Sequence, residues 1–492
     1  MKTVIRLATI AITSLGVLSC ALSPDNGYWG DDSFESGDGY IGVGEGGDRF
    51  DKVAENPFIK TKDQNVSTFS IDADGASYAI MRKYVGIGWP VESASVRVEE
   101  FLNYFTFDYP EPTGEDRVRI NAETGSCPWN EDHRLLRLGL KGKSLAENEI
   151  PLANFVFLVD VSGSMSSKDK LELLKTSLTT MLDYLRPEDR ISIVTYSGSV
   201  RKLLESTPVK DASKIKAAIG KLSASGSTAG GKALEMAYEE ALANYIKDGN
   251  NRVILGTDGD FNVGVTDPDA LTSMVEEYAR KGIYLTVCGF GSGNLNDAMM
   301  KKLSVKGNGT YQYIDSEEEM AKVFVQERSK FVSVANDTKV QVTFDPEMIE
   351  SYRLIGYERR VMDNKDFEDD TKDAGEIGAG QTITALYEIV PAEGYKDGAV
   401  CGKFDCRYKK SLLDSESQAL SVELTASEGK MSPELSFASG VAAYGLVLLN
   451  SEYKGEASLD MASKLVKAGL AFDPNGYRAE LLDLISKVKV EK

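Results

Sequence analysis

Residues 155–164 read Phe155-Val156-Phe157-Leu158-Val159-Asp160-Val161-Ser162-Gly163-Ser164, five apolar residues running straight into a cluster of oxygen-bearing side chains. An unbroken apolar run is what a strand needs when both of its faces are covered. Leu171, Leu174, Leu178, Leu182 and Leu185 come next at helical spacing, which predicts a helix packed back on that strand. Ile191-Ser192-Ile193-Val194, Val253-Ile254-Leu255 and Ile283-Tyr284-Leu285-Thr286-Val287 supply further strands, with helical patterns between them. Such alternation marks an α/β domain, so residues 150–332 are expected to form a doubly wound, mostly parallel, Rossmann-like sheet. Ligands of these sheets bind outside the carboxyl ends of the strands, and Asp160 stands at one such end.

Asp160, Ser162 and Ser164 leave the strand together, with Gly163 permitting a tight turn. Alone, an Asp/Ser turn does no more than cap the next helix. Two other loops change that reading. Ser225-Gly226-Ser227-Thr228-Ala229-Gly230-Gly231 opens another helix and offers Thr228, and the strand Val253–Gly256 ends in Thr257-Asp258-Gly259-Asp260, offering Asp258. Three loops at one edge thus present only hard oxygen donors, a set suited to Mg²⁺ or Mn²⁺.

In type and order these five residues resemble the metal-ion-dependent adhesion site of von Willebrand factor A (VWA) domains. The resemblance implies that Ser162, Ser164 and Thr228 bind the cation through hydroxyls, while Asp160 and Asp258 act directly or through water. Neutral hydroxyls leave the ion under-neutralised, and one octahedral position stays open for an Asp or Glu of a protein partner. That is binding, and it needs no general acid or base. The flanks resemble bacterial lipoproteins in which an N-terminal VWA-associated segment (Ser67–Pro110) and a C-terminal region (334–490) surround this domain.

The rest of the chain is expected to divide into a leader, a tether, an N-terminal segment, a sandwich and a helical tail. Residues 1–19 read as a lipoprotein signal peptide: Lys2 and Arg6 are basic, Leu7 to Leu18 is mostly apolar, and Ser19 precedes Cys20. Val17-Leu18-Ser19-Cys20 resembles a lipobox, which makes Cys20 the lipidated residue and places the chain in the cell envelope of a Gram-negative bacterium. Ala21, where an Asp would favour inner-membrane retention, points to the outer membrane. Residues 20–56, rich in Gly, Asp, Glu and Ser, read as a flexible tether. Residues 57–115 form the N-terminal segment, with helices near Ala76–Val85 and Ser93–Tyr104. A β-sandwich is inferred from two separated stretches, 116–149 and 333–430, and a helical region from 431–492.

The 492 residues carry a net charge of −20, which disfavours nucleic-acid binding. Cys401 and Cys406 are close enough in sequence for a disulfide across a turn in an exported protein, Cys288 reads as a buried thiol, and Cys127 has no evident partner. Gly226 to Lys232 has the G-x-x-x-x-G-K spacing, but Ala233 stands where a phosphate loop needs Ser or Thr. Asp258, Asp260 and Asn262 begin like a calcium loop, but Gly264 comes one residue late and Asp269 stands in place of Glu. The lone histidine, His133, lies in a polar run outside the α/β domain and reads as a surface residue, which argues against a hydrolase triad. The chain is thus read as a non-enzymatic, cation-dependent binding or adhesion protein. An envelope assembly factor and a hydrolase of unfamiliar type are the alternatives.

Overall fold

The computed structural model describes residues 41–43, 47–226, 231–259, 268–412 and 414–489. The expected signal peptide, Cys20, most of the tether, Thr228 and Asp260 lie outside the described residues.

The α/β domain is built on a six-stranded sheet with the order Tyr311–Ile314, Ile283–Phe290, Asn250–Thr257, Ala153–Asp160, Arg190–Tyr196, Val200–Pro208. The first five strands run parallel, and the last pairs antiparallel at the edge. Ala153–Asp160 lies inside the sheet and is buried at every position, as its unbroken apolar run requires. Its side chains alternate between two cores. Val156 and Leu158 meet Leu234 and Ala237 on one face, while Phe155, Phe157 and Val159 meet Leu174 and Leu178 on the other. The doubly wound sheet is therefore as expected.

Two antiparallel sheets enclose a further core. One has the order Ile59–Lys60, Ile349–Ile355, Thr382–Pro391, Arg134–Gly142, Val118–Ser126. The other runs Val361–Met362, Val66–Ser70, Ser333–Phe344, Val400–Lys409, Gln418–Thr425, with Gly375–Gly378 also paired to Ser333–Phe344. Leu136, Leu138, Leu140 and Ile383 of the first meet Phe69, Val340, Val342 and Phe404 of the second. The sandwich thus draws on three stretches of chain, not two. Ile59–Lys60 and Val66–Ser70, assigned from sequence to a separate N-terminal segment, are strands within it. Phe69 pairs with Val340, a partner too distant for any local periodicity to reveal.

The five-stranded sheet is covered on its other face as well. Leu135 and Leu386 join a core with Phe101, Phe437 and Val441, so Arg134–Gly142 is almost wholly buried. The helix Pro433–Leu449 explains this cover. Ser432 accepts a hydrogen bond from the Leu435 N–H at its start and Pro433 takes the first turn, where a missing N–H does no harm. Residues 435–446 are buried all round. Gly440 is required there, because a Cβ would meet the backbone N of Val466 at 2.7 Å. The helix expected at Ser93–Tyr104 is a short 3₁₀ turn at Ser93–Ser95 followed by Val98–Asn103.

Three further expectations need correction. Cys401 and Cys406 form no disulfide; both are free and buried. They lie on one strand, Val400–Lys409, where five residues span about 16 Å, beyond disulfide reach. Residues 47–51, placed in the tether, are docked: Phe50 is fully buried in the α/β core. His133 is not a plain surface residue. Its Nδ1 lies 2.6 Å from Glu388 Oε1, while Trp129 Nε1 and an Arg353 guanidinium nitrogen each donate to Glu388 Oε2 at 3.2 Å.

Burial raises the thiols of Cys127, Cys288, Cys401 and Cys406 above their ordinary range, and the thiolate is the reactive form. Iodoacetamide without reductant is therefore expected to leave these four unmodified in the native chain and to alkylate all four after denaturation. Mass spectrometry reads the difference, and a linked Cys401–Cys406 peptide would contradict it. No helix among the described residues is long and apolar enough to cross a membrane.

Candidate metal centre

Strand order brings four of the five predicted residues, Asp160, Ser162, Ser164 and Asp258, to one edge of the sheet. Ala153–Asp160 and Asn250–Thr257 are neighbours and parallel, so Asp160 and Asp258 emerge side by side. The third loop is tied to the first by two backbone bonds, Gly163 N–H to Gly226 O at 3.0 Å and Ser225 N–H to Val161 O at 2.7 Å. Thr228 itself lies outside the described residues, two positions beyond Gly226.

Asp160 is fully buried. Its Oδ1 accepts the Ser162 N–H at 2.8 Å and its Oδ2 accepts the Thr257 hydroxyl at 3.3 Å. Burial pushes the carboxyl up to about 6; the donors from Ser162 and Tyr196 oppose the rise, and the charge of Asp258 adds to it. Ser162 Oγ and Ser164 Oγ lie 2.9 Å apart. An octahedral ion with bonds of about 2.1 Å holds adjacent oxygens about 3 Å apart, so the pair already has the spacing of two neighbouring Mg²⁺ or Mn²⁺ ligands. Ser162 is buried and Ser164 exposed, which leaves the site open on one side. Hard donors, hydroxyl spacing and a buried anion all fit a small divalent cation.

Cation binding needs Asp160 ionised. Above pH 6 it already is; below about pH 6 the ion must displace a proton. Mn²⁺ affinity is therefore expected to be flat from pH 8 to 6.5 and to fall by up to about tenfold per unit below about pH 6, as read by calorimetric titration at several pH values.

Sequence reading missed Lys170 and the strap at 47–51. The Lys170 ammonium donates to Asp258 Oδ2 at 2.9 Å and to Asn294 Oδ1 at 3.2 Å. A usable signal existed: Lys170, Leu174 and Leu178 recur at a spacing of four, which puts the lysine on the buried face. The strap holds the same neighbourhood from outside. Asp48 Oδ1 accepts the N–H groups of Gly293 and Leu295 at 2.7 and 2.9 Å, and its Oδ2 accepts the Tyr84 hydroxyl at 2.6 Å. Elsewhere among the described residues, two groups of three carboxylates could hold a cation, Asp72/Asp74/Glu100 and Asp337/Asp373/Glu376. The first is already occupied by the Lys301 ammonium, and Asp337 of the second is paired with Lys409.

Three family models match successive segments of the chain. Residues 154–326 match the family model for the von Willebrand factor type A domain, residues 45–137 the model described as von Willebrand factor, and residues 329–490 the C-terminal model of Uncharacterized protein YfbK. Over 464 residues the chain is 37% identical to Uncharacterized protein YfbK of Escherichia coli (strain K12), covering 89% of this chain and 80% of that one. It is 29% identical over 201 residues to inter-alpha-trypsin inhibitor heavy chain H4 of Homo sapiens, covering 39% of this chain and 21% of that protein. Among solved structures, a von Willebrand factor type A protein from Catenulispora acidiphila aligns with TM-score 0.42 and 16% identity, over 79% of this chain and 99% of that one. VWA domains are protein-interaction modules. With its VWA domain and its identity to YfbK along most of both sequences, the chain belongs to the YfbK family.

Proposed function

We propose that this chain is a cation-dependent protein-binding module of the bacterial cell envelope. The observation that carries the reading is the convergence of Asp160, Ser162, Ser164 and Asp258 at the carboxyl edge of one parallel sheet, with Ser225 and Gly226 bonded alongside. Mg²⁺ or Mn²⁺ bound there would keep an open position and a net positive charge, and a carboxylate from a protein partner would complete it. Binding alone accounts for this donor set. Cys20, acylated after removal of residues 1–19, would tether the module to the outer membrane.

Titration of the full chain with Mn²⁺ and Mg²⁺ tests the centre. Saturable binding of both ions is expected, with Thr228→Ala weakening it at least about tenfold. A wild-type chain that binds neither ion would defeat the reading. The tether is tested separately by metabolic labelling with a fatty-acid analogue, expected to mark the wild type and not Cys20→Ser.

A further inference from the structure

We propose that Lys170 sets how tightly the VWA centre holds its cation, by cancelling one of the two carboxylate charges until an acidic partner arrives. This rests on the cation-binding reading above. Of the two aspartates at the centre, Asp160 is bonded to neutral donors, while Asp258 gives its Oδ2 to the Lys170 ammonium at 2.9 Å. Asp160, Asp258 and Lys170 together carry one net negative charge, and the hydroxyls of Ser162 and Ser164 add none. A dication placed there keeps a net positive charge and also feels the ammonium nearby, with little solvent to screen it. The centre therefore binds the bare ion weakly. A partner carboxylate in the open position supplies the missing anion, so ion and partner bind cooperatively.

The lysine is built into the fold. It is buried, as is its ion-pair partner Asp258. Its aliphatic stem passes directly over Gly291, where φ is +69° and any Cβ would collide with the stem. Asn294, its second acceptor, sits in the segment that Asp48 pins through the N–H groups of Gly293 and Leu295. The lysine is thus held against Asp258 by Asn294 at its ammonium and by Gly291 along its stem.

The test is Mn²⁺ titration of the full chain as wild type, K170Q and K170R, with near-ultraviolet circular dichroism confirming the fold. K170Q keeps a donor for Asp258 but removes the charge, and K170R keeps the charge. K170Q is expected to bind Mn²⁺ about tenfold tighter or more, with K170R staying near wild type; binding by K170Q alone would be the extreme of the same result. Equal or weaker binding by a folded K170Q overturns the proposal while leaving the centre intact, and no binding by any of the three overturns both. A second measurement needs no neutral variant. In lysine-labelled wild-type chain, Mg²⁺ is expected to shift one slowly exchanging ammonium resonance, assigned by its absence from K170R. If every ammonium resonance stays unmoved at saturating Mg²⁺, Lys170 is not coupled to the ion and the proposal falls.

Discussion

Asp160→Asn is expected to remove Mn²⁺ binding, by at least about 100-fold, and at the same time to raise the thermal midpoint of the cation-free chain. The two effects share one cause. The carboxyl is buried and pushed up to about 6, so at neutral pH the fold carries an anion that it would hold more easily as the neutral acid. For an acid whose pKa is higher folded than unfolded, the penalty is full above the folded value and disappears below the unfolded one. An amide of the same shape can still accept from the Ser162 N–H and carries no charge. The gain is on the order of 1–3 kcal/mol at pH 7.5, a few degrees of midpoint for a domain of this size. Scanning calorimetry in chelator at pH 7.5 and pH 4.5 reads it: the gap between variant and wild type should be full at the first and cut by more than half at the second. A variant that melts below wild type at pH 7.5 would show that the carboxylate stabilises the cation-free fold.

Lys301→Met is expected to be the most damaging single substitution away from the centre. Lys301, on the helix Asp297–Lys306, holds Asp72, Asp74 and Glu100 at 2.7 Å each. Asp72 is also bound by Arg360 at 3.0 Å, and Glu100 by Arg97, which reaches on to Asp297. One ammonium thus ties the sandwich, the N-terminal helices and the α/β domain. Removing it leaves three buried carboxylates crowded together, a loss of about 3–5 kcal/mol for one broken buried pair. Urea unfolding at pH 7.5 should show a much lower midpoint or a separate early transition. The defect should shrink as pH falls, because burial already pushes the Asp74 carboxyl up and loss of the Lys301 charge pushes it further, so protonation removes an unpaired charge. An unchanged midpoint would mean that the carboxylates find other partners at little cost.

Asp160, Ser162, Ser164 and Asp258 of the candidate centre are legible because they sit next to strong local signals. The run Phe155–Val159 fixes a buried strand, and the loop leaving the carboxyl end of a parallel strand faces the ligand edge. Lys170 was harder, since a lysine in a leucine pattern usually marks a solvated flank, and its Asp258 partner lies on another strand. The strap is hidden by composition: Gly47, Asp48 and Asp51 suggest a linker, while buried Phe50 and the hydrogen bonds of Asp48 do the anchoring. The sandwich was half legible. The alternating faces of Ser67–Ile71 suit a strand, but pairing partners such as Phe69 and Val340 carry no mutual signature. The cysteine pair misleads because close spacing suits a turn, whereas the surrounding residues are extended.

The pairing of Val66–Ser70 with Ser333–Phe344 also sets an order of assembly during synthesis. Phe69 and Val340 are about 270 residues apart, and closing so long a flexible loop costs roughly 5 kcal/mol in chain entropy before any contact repays it. Every strand of the α/β sheet lies between them, within 153–314, and can pair as soon as Tyr311–Ile314 has been made. At that moment Ser333–Phe344, on which both Val66–Ser70 and Val400–Lys409 depend, is not yet free to pair. The early strands, Val118–Ser126 and Arg134–Gly142 among them, must wait with apolar faces and open edges exposed, the condition under which nascent chains aggregate. The α/β domain, already folded, then acts as a preformed spacer that shortens the search, and the sandwich closes last around the root of the domain it carries.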